Sequence, residues 1–480
     1  MAAGTLLFFL LLSLLPHSLS DNHSPAIPAN ELVALLELVG GLLTDHGWAE
    51  LHPHPCTDTP WPGIQCEADG INADVLHVTG IHVGVDVSSS PPCKPSAFLS
   101  PSALLHLSFL KSFSLFGCFL YPNNVSLPAS FFNNSSSLEQ LILDSNTGLV
   151  GEIPCSVSNL KRLRVLCLSQ NAFHGKIPPE IGSLESLQEL DLSCNRFHGQ
   201  IPDEISGLSS LLIADFSSNE LQGELPASIG SLHSLQKIDF SFNSLSGTVP
   251  PELGELKRLV LLDFSHNDLT GPLPAALSGL IELEYFLMES NPLNSSIPLF
   301  LAELKKLQVV GISDCGLLGS IPSFFASLVS LNALSLDGNR LNGSVPESLG
   351  LLPNLGLLNL SQNQLSGEIG FSEEFVRKLG KRLDVRDNRG LCSSSHKYHE
   401  DSYNLECPPC LGSTINNGSN GSNSMGGNNG EEETSDIGIN PSSNINGVAC
   451  LGQEFCFQFG PSFLRLLSFQ VFAMVMTFAV

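Results

Sequence analysis

The chain repeats itself every 24 residues. Asparagine recurs at 146, 171, 195, 219, 243, 267, 291, 339, 363 and 388, with cysteine at the equivalent positions 118 and 315. From Asn171 to Asn363 the interval is 24 eight times running. The clearest unit is Leu187-Gln-Glu-Leu190-Asp-Leu192-Ser-Cys-Asn195-Arg-Phe197-His-Gly199-Gln-Ile201-Pro202. A strict period of this length argues against one closed core. A single repeat is too small to bury its own leucines, so neighbours must stack into a solenoid and share a continuous interior.

The residue types follow from that stacking. Leu190 and Leu192 form a short strand whose alternate side chains point to opposite faces, so the residues five and three before each asparagine turn inward. Those six, four, two and one before it turn outward. The chain then bends sharply, and Asn195 sits where a side-chain amide can satisfy backbone groups that no strand pairs. Cys315 substitutes a weaker S–H donor. In Leu245-Ser-Gly247-Thr-Val249-Pro250 the glycine allows a tight backbone and the proline stops the ladder. About twelve ladder strands at ~4.8 Å spacing give a concave sheet roughly 55 Å long. The chain is thus predicted to be a solenoid poor in α-helix, closed at each end by a disulfide-bonded cap.

Residues 1–20 read as a secretory signal, with an apolar run over Leu6–Leu15 and small residues at Ser18 and Ser20. Export agrees with 13 Cys, and the formal charge of −26 (Lys+Arg 21, Asp+Glu 47) disfavours nucleic acid and anionic lipid as partners. Residues 21–92 form an N-terminal cap. It has an amphipathic helix from Asn30 as N-cap, a disulfide between Cys56 and Cys66 around Trp61-Pro-Gly63, and a strand alternating from Val75 to Val87. Cys93 and Cys118 make a second pair. Repeats occupy 93–388, with a short helix over Ser372–Gly380 before the last strand. A C-terminal cap follows at 389–410, where Cys392 pairs with Cys407 or Cys410. A redox or zinc role for Cys407-Pro-Pro-Cys410 lacks the surrounding βαβ pattern. Residues 411–449 are a flexible Asn/Gly/Ser-rich stalk. Residues 450–480 are an apolar tail, read as a lipid-anchor signal or a membrane-spanning helix.

The frame Leu-x-Gly-x-Ile-Pro resembles the plant-type leucine-rich repeat. The cap Cys56…Trp61-x-Gly63-Ile64-x-Cys66 is similar to that of plant leucine-rich-repeat receptors. Trp61-Pro-Gly-Ile-Gln-Cys-Glu67, Gly367-Glu-Ile-Gly-Phe371 with Phe375, Lys378 and Gly380, and Asn388-Arg-Gly-Leu-Cys392 resemble, more narrowly, receptor-like proteins of the piriformospora-insensitive type. That resemblance implies a cell-surface receptor on the extracellular face of the membrane. It carries no kinase of its own and acts with a receptor kinase or co-receptor ectodomain in defence, symbiosis or development.

No catalytic, cofactor or metal constellation emerges. His52-Pro-His54 lacks the flanks of a metal-binding helix, and no nucleophile elbow or phosphate-cradling glycine loop occurs. Asp191, Asp215, Asp239 and Asp263 fall in one column, but each belongs to the recurring Leu-Asp-Leu/Phe-Ser unit. The strand phase instead brings Phe242, Leu261, His266, Tyr285, Leu287 and Val309 onto adjacent strands of the concave face. Exposed aromatics beside aliphatics suit a peptide or protein ligand. Asp263 and Glu289 would add polar specificity, and Arg382 and Arg386 on the last strand could hold a peptide carboxylate across Asp384. Nine N-x-Ser/Thr sequons, at Asn22, Asn124, Asn133, Asn134, Asn294, Asn342, Asn359, Asn417 and Asn420, mark glycosylation sites. Cys155, Cys167, Cys194 and Cys315 remain unpaired, with Cys167 or Cys194 as the candidate reactive thiol. Two functions fit: a receptor-like binding protein, or a secreted inhibitor of a cell-wall hydrolase such as polygalacturonase.

Overall fold

The computed structural model describes residues 26–410, except 45–46, 85–90, 128–130, 133–136, 394–406 and 409. The signal, stalk and tail lie outside the described residues.

The helix of the N-terminal cap runs Ala29–Leu42, two residues earlier than an Asn30 N-cap implies. Pro28, not Asn30, precedes it, and the Pro28 carbonyl accepts from the backbone N–H of Glu31 and Leu32, so the first turn starts without a side-chain cap. Leu35, Leu38, Val39 and Leu42 are buried in the same core as Ile64, Val78, Ile81 and Val83 of an antiparallel pair, Ile64–Ala68 and Leu76–Gly84. Glu31 is a buried carboxylate on that helix. It accepts from the Val78 N–H at 2.6 Å and lies 2.8 Å from His77 Nδ1, fastening helix to strand. Disulfides Cys56–Cys66 and Cys93–Cys118 form as expected, the second joining the cap to the first repeat.

Leu76–Gly84 pairs in parallel with Ser112–Phe116, and the concave sheet continues from there. It has 14 strands, two from the cap and twelve from the repeats, ending at Leu383–Asp384. Register is exact from strand to strand: Leu190 lies opposite Ala214, and Ala214 opposite Ile238. Leu190 and Leu192 are fully buried, as their phase requires.

Each ladder asparagine staples two repeats together. Asn195 Nδ2 donates to the carbonyls of Leu168 (2.7 Å) and Leu192 (3.1 Å), and its Oδ1 accepts from the Phe173 N–H (3.0 Å). Cys315 replaces only the donor, Sγ lying 3.1 Å from the Met288 carbonyl. The residue before each asparagine is left-handed, including Cys194 (φ 53°), Phe242 (54°) and His266 (55°). That conformation is unusual for bulky side chains.

Two further sheets of seven and four strands line the side where the chain leaves the concave face. The sequence reading placed only a turn and a stop there. The Leu-x-Gly segments of successive repeats are short, yet the 24-residue period aligns them and they pair. The gap between the two sheets falls at Asn291-Pro292-Leu293-Asn294. There Pro292 offers no N–H and Asn294 is left-handed (φ 47°). The convex side carries one 3-10 turn per repeat, from Cys155–Asn159 to Glu347–Leu351. At the C-terminal end the helix Glu373–Leu379 starts at Ser372, whose hydroxyl accepts from the Phe375 N–H, and stops at left-handed Gly380. Of the two possible partners for Cys392, Cys410 takes the bond. Cys407 is free and buried, correcting its inclusion among the bonded cysteines.

Candidate ligand-binding face

The concave strands bring most of the proposed patch together. Leu261, Tyr285 and Val309 are direct neighbours in register, as are Asp263 and Leu287. Tyr285, Leu287, Val309 and His266 are half-buried, and Phe242 is 39% exposed. The Phe242 and His266 rings stack with centroids 4.1 Å apart at 19°. At the equivalent position other repeats carry smaller or polar residues, among them Ser218, Ser290 and Gln362.

Leu261 does not belong to the accessible patch. It is 5% exposed, lying in register between the longer Lys237 and Tyr285. Asp263 is also buried, accepting from the Ser265 N–H at 2.9 Å. The two arginines are engaged internally. Arg386 pairs with Asp384 through Nε–Oδ1 (3.0 Å) and Nη2–Oδ2 (2.6 Å). Arg382 donates to the carbonyls of Leu379 and Lys378, completing the end of the preceding helix. A free arginine pair for a ligand carboxylate is therefore not formed.

The acidic column is a half-buried, hydrogen-bonded network in which Asp263 is buried, where outward phase had suggested solvated carboxylates. Asp191, Asp215, Asp239 and Asp263 stand side by side. The Ser193, Ser217 and Ser241 hydroxyls donate to the first three at 2.6–2.7 Å. Lys237 lies among them, its Nζ 2.7 Å from Asp215 and 3.6 Å from Asp239. Burial and the charge of Asp191 push Glu189 up to about 7. Burial and Asp215 raise Asp191 to about 6 and Asp239 to about 7. Burial alone would lower the Lys237 pKa, but Asp215 and Asp239 outweigh it and keep the ammonium charged. The column is thus acid packed into structure, with no group of three metal-binding side chains among the described residues.

Cys155, Cys167, Cys194 and Cys315 form no disulfide, as expected. Cys167 is half-buried with Sγ 3.7 Å from Asp191 and 3.2 Å from Ser169, and burial together with Asp191 raises its pKa well above the ordinary thiol value. It is not an activated nucleophile. Cys194 is half-exposed. Among the sequons, Asn124, Asn294 and Asn342 are exposed. Asn359 is half-buried, its Oδ1 accepting from the Ser361 N–H and hydroxyl in the manner of the aspartates. Asn22, Asn133, Asn134, Asn417 and Asn420 lie outside the described residues.

Phe242 and His266 lie on adjacent strands as the strand phase predicts, and the structure adds their left-handed backbone and ring stacking. Phe242 and His266 both directly precede a ladder asparagine, and neighbouring strands must set such residues side by side.

A family model for a leucine-rich repeat region matches residues 143–381. Receptor like protein 29 of Arabidopsis thaliana is 40% identical over 171 residues, covering 35% of this chain and 36% of that protein. Piriformospora indica-insensitive protein 2, also of Arabidopsis thaliana, is 36% identical over 156 residues, covering 32% and 36%. The matched segments thus span about a third of each relative's length. Among solved structures, the ectodomain of the Arabidopsis thaliana receptor kinase GASSHO1/SCHENGEN3, in complex with CASPARIAN STRIP INTEGRITY FACTOR 2, is 28% identical with TM-score 0.55. That likeness covers 65% of this chain and 38% of that one.

Proposed function

We propose that this chain, a leucine-rich-repeat protein related to plant receptor-like proteins, is a cell-surface receptor. It holds a peptide or protein ligand on its concave face and signals through a partner receptor kinase. The observation that carries this reading is the exposed Phe242–His266 stack beside Tyr285, Leu287 and Val309 on a broad rigid sheet. Large aromatics in a shallow apolar patch are the usual anchors of an interface. The likeness to a receptor-kinase ectodomain in complex with CASPARIAN STRIP INTEGRITY FACTOR 2 supports it, and so does the similarity to Receptor like protein 29. The apolar tail at 450–480 would be cut off and replaced by a glycolipid that holds the protein at the outer surface, so a phosphatidylinositol-specific phospholipase should release it from intact cells. Retention in the membrane would favour a spanning helix.

The test is capture of the partner. Tagged protein purified from its own tissue should bring down a kinase-bearing receptor, and Phe242→Ala and Tyr285→Ala should each weaken that capture at least thirtyfold, with normal melting. If both variants capture as well as the unmodified protein, the concave patch is not the binding surface.

A further inference from the structure

The concave face carries two groups of carboxylates, and they are neutralised differently. The N-terminal group surrounds Lys237, which sits 2.7 Å from Asp215. This is the chain's own example of an ammonium seated in that surface. The C-terminal group is Glu289, Asp314 and Asp337. Among the described residues, no Lys or Arg lies within ion-pair distance of any of the three.

Two glycines leave space for these carboxylates. A Cβ on Gly311 would meet Glu289 Oε1 at 2.5 Å, and a Cβ on Gly338 would meet Asp314 Oδ1 at 1.9 Å. Asp337 accepts from the Ser313 hydroxyl at 2.5 Å. Burial raises the carboxyls of Glu289 and Asp314, and Asp337 raises them further, as repulsion between unneutralised neighbours must. Burial also holds His266 below its ordinary value, so near neutral pH its ring stacks on Phe242 as an uncharged aromatic. His266, Ser290 and Asp314 occupy the same left-handed position in consecutive repeats, so Asp314 shares a row with the aromatic pair, and Glu289 and Asp337 stand one residue earlier in their repeats.

We infer that this row takes a polypeptide segment through one arginine or lysine side chain. The stem would lie on the Phe242–His266 pair and the charged head among Glu289, Asp314 and Asp337. The inference rests on the concave face being the binding surface and adds the chemistry of its ligand. Charge complementarity selects the occupant. A cationic head supplies locally what Lys237 supplies in the other group, and the chain's charge of −26 draws basic segments towards it. A cation over an aromatic face gains from the ring quadrupole as well as from the carboxylates. A bare metal ion fits less well, because no three such ligands converge among the described residues.

The experiment uses the full-length protein in detergent micelles and fluorescein-labelled hexa-arginine, with hexa-glutamate as the negative probe. The double variant Glu289→Gln/Asp314→Asn should weaken hexa-arginine binding at least tenfold. Asp203→Asn/Glu204→Gln, exposed on the convex side, removes the same two charges and should change it less than twofold. Equal effects of the two pairs would mean attraction by net charge alone and overturn the inference, as would failure of hexa-arginine to bind. Melting of each variant shows that it is folded. If the acid pair is silent while Phe242→Ala still prevents capture of the kinase-bearing partner, only the cationic anchor falls. If Phe242→Ala is silent as well, the concave face itself is not the site.

Discussion

Replacing Lys237 with methionine should destabilise the protein in a pH-dependent way. Lys237 is the ammonium that lies 2.7 Å from Asp215 and 3.6 Å from Asp239, and the three side chains are only 14–16% exposed. Methionine keeps most of the stem's packing but leaves Asp191, Asp215 and Asp239 to repel one another. Removing one partner of a buried pair costs roughly 3–5 kcal/mol, and the residual solvent contact places this site near 3 kcal/mol at pH 8. Acid should relieve the loss. Glu189 and Asp239 titrate near 7 and Asp191 and Asp263 near 6 in the folded protein, against about 4 in an unfolded chain. Because these folded values are raised, the folded state binds more protons between about pH 4 and pH 7, and stability rises as pH falls through that window. The unmodified protein should therefore be more stable at pH 5 than at pH 8. The Lys237→Met deficit should shrink to about 1 kcal/mol or less at pH 5, since protonation removes the repulsion. Urea melts at the two pH values, with unchanged m, measure this. A deficit equal at both pH values, or below about 0.5 kcal/mol at pH 8, would refute the charge network as its source.

Asn267→Leu strips donors from the carbonyls of Phe240 and Phe264 and the acceptor from the Leu245 N–H, so urea melts should show a loss of about 3–5 kcal/mol. Asn267→Cys keeps a donor, as Cys315 does, and should lose only about 1–3 kcal/mol; equal losses would mean the amide's two roles are not separable. Gly254→Ala places a Cβ 2.1 Å from the Ala276 carbonyl oxygen on the convex side and should cost about 1–3 kcal/mol in the same melts, whereas a neutral result would mean the turns there slide freely. Peptide mapping without reduction should find Cys392 bonded to Cys410, with Cys407 alkylated only after unfolding; a Cys392–Cys407 peptide would contradict the C-terminal cap described above.

Much of this fold was legible because the repeat states it many times over. The phase that buries Leu190 and Leu192, the roles of Asn195 and Cys315, and twelve ladder strands all follow from one period and the alternation of side chains. The second-side sheets were less legible, since no single Leu-x-Gly segment looks like a strand and pairing arises only from alignment across repeats. Burial on the concave face was also hidden. Outward phase puts Leu261 and Asp191 on the surface, but in a parallel ladder each outward side chain has neighbours on both sides. A lysine, tyrosine or second carboxylate there decides its exposure. The arginines of the last strand were misjudged for a related reason. Their nearest partners, Asp384 and the helix-end carbonyls, are local, and short-range contacts take up their donors.

The receptor function depends on which surface meets the ligand, and site-specific photocrosslinking tests that most directly. Full-length protein carrying benzoylphenylalanine in place of Tyr285, on the concave face, or in place of Ala275, exposed on a convex turn, would be expressed in its own tissue and irradiated. The Tyr285 position should yield a crosslinked extracellular polypeptide that the Ala275 position does not. Crosslinks from Ala275 alone would place the partner on the convex side and contradict the receptor face described here.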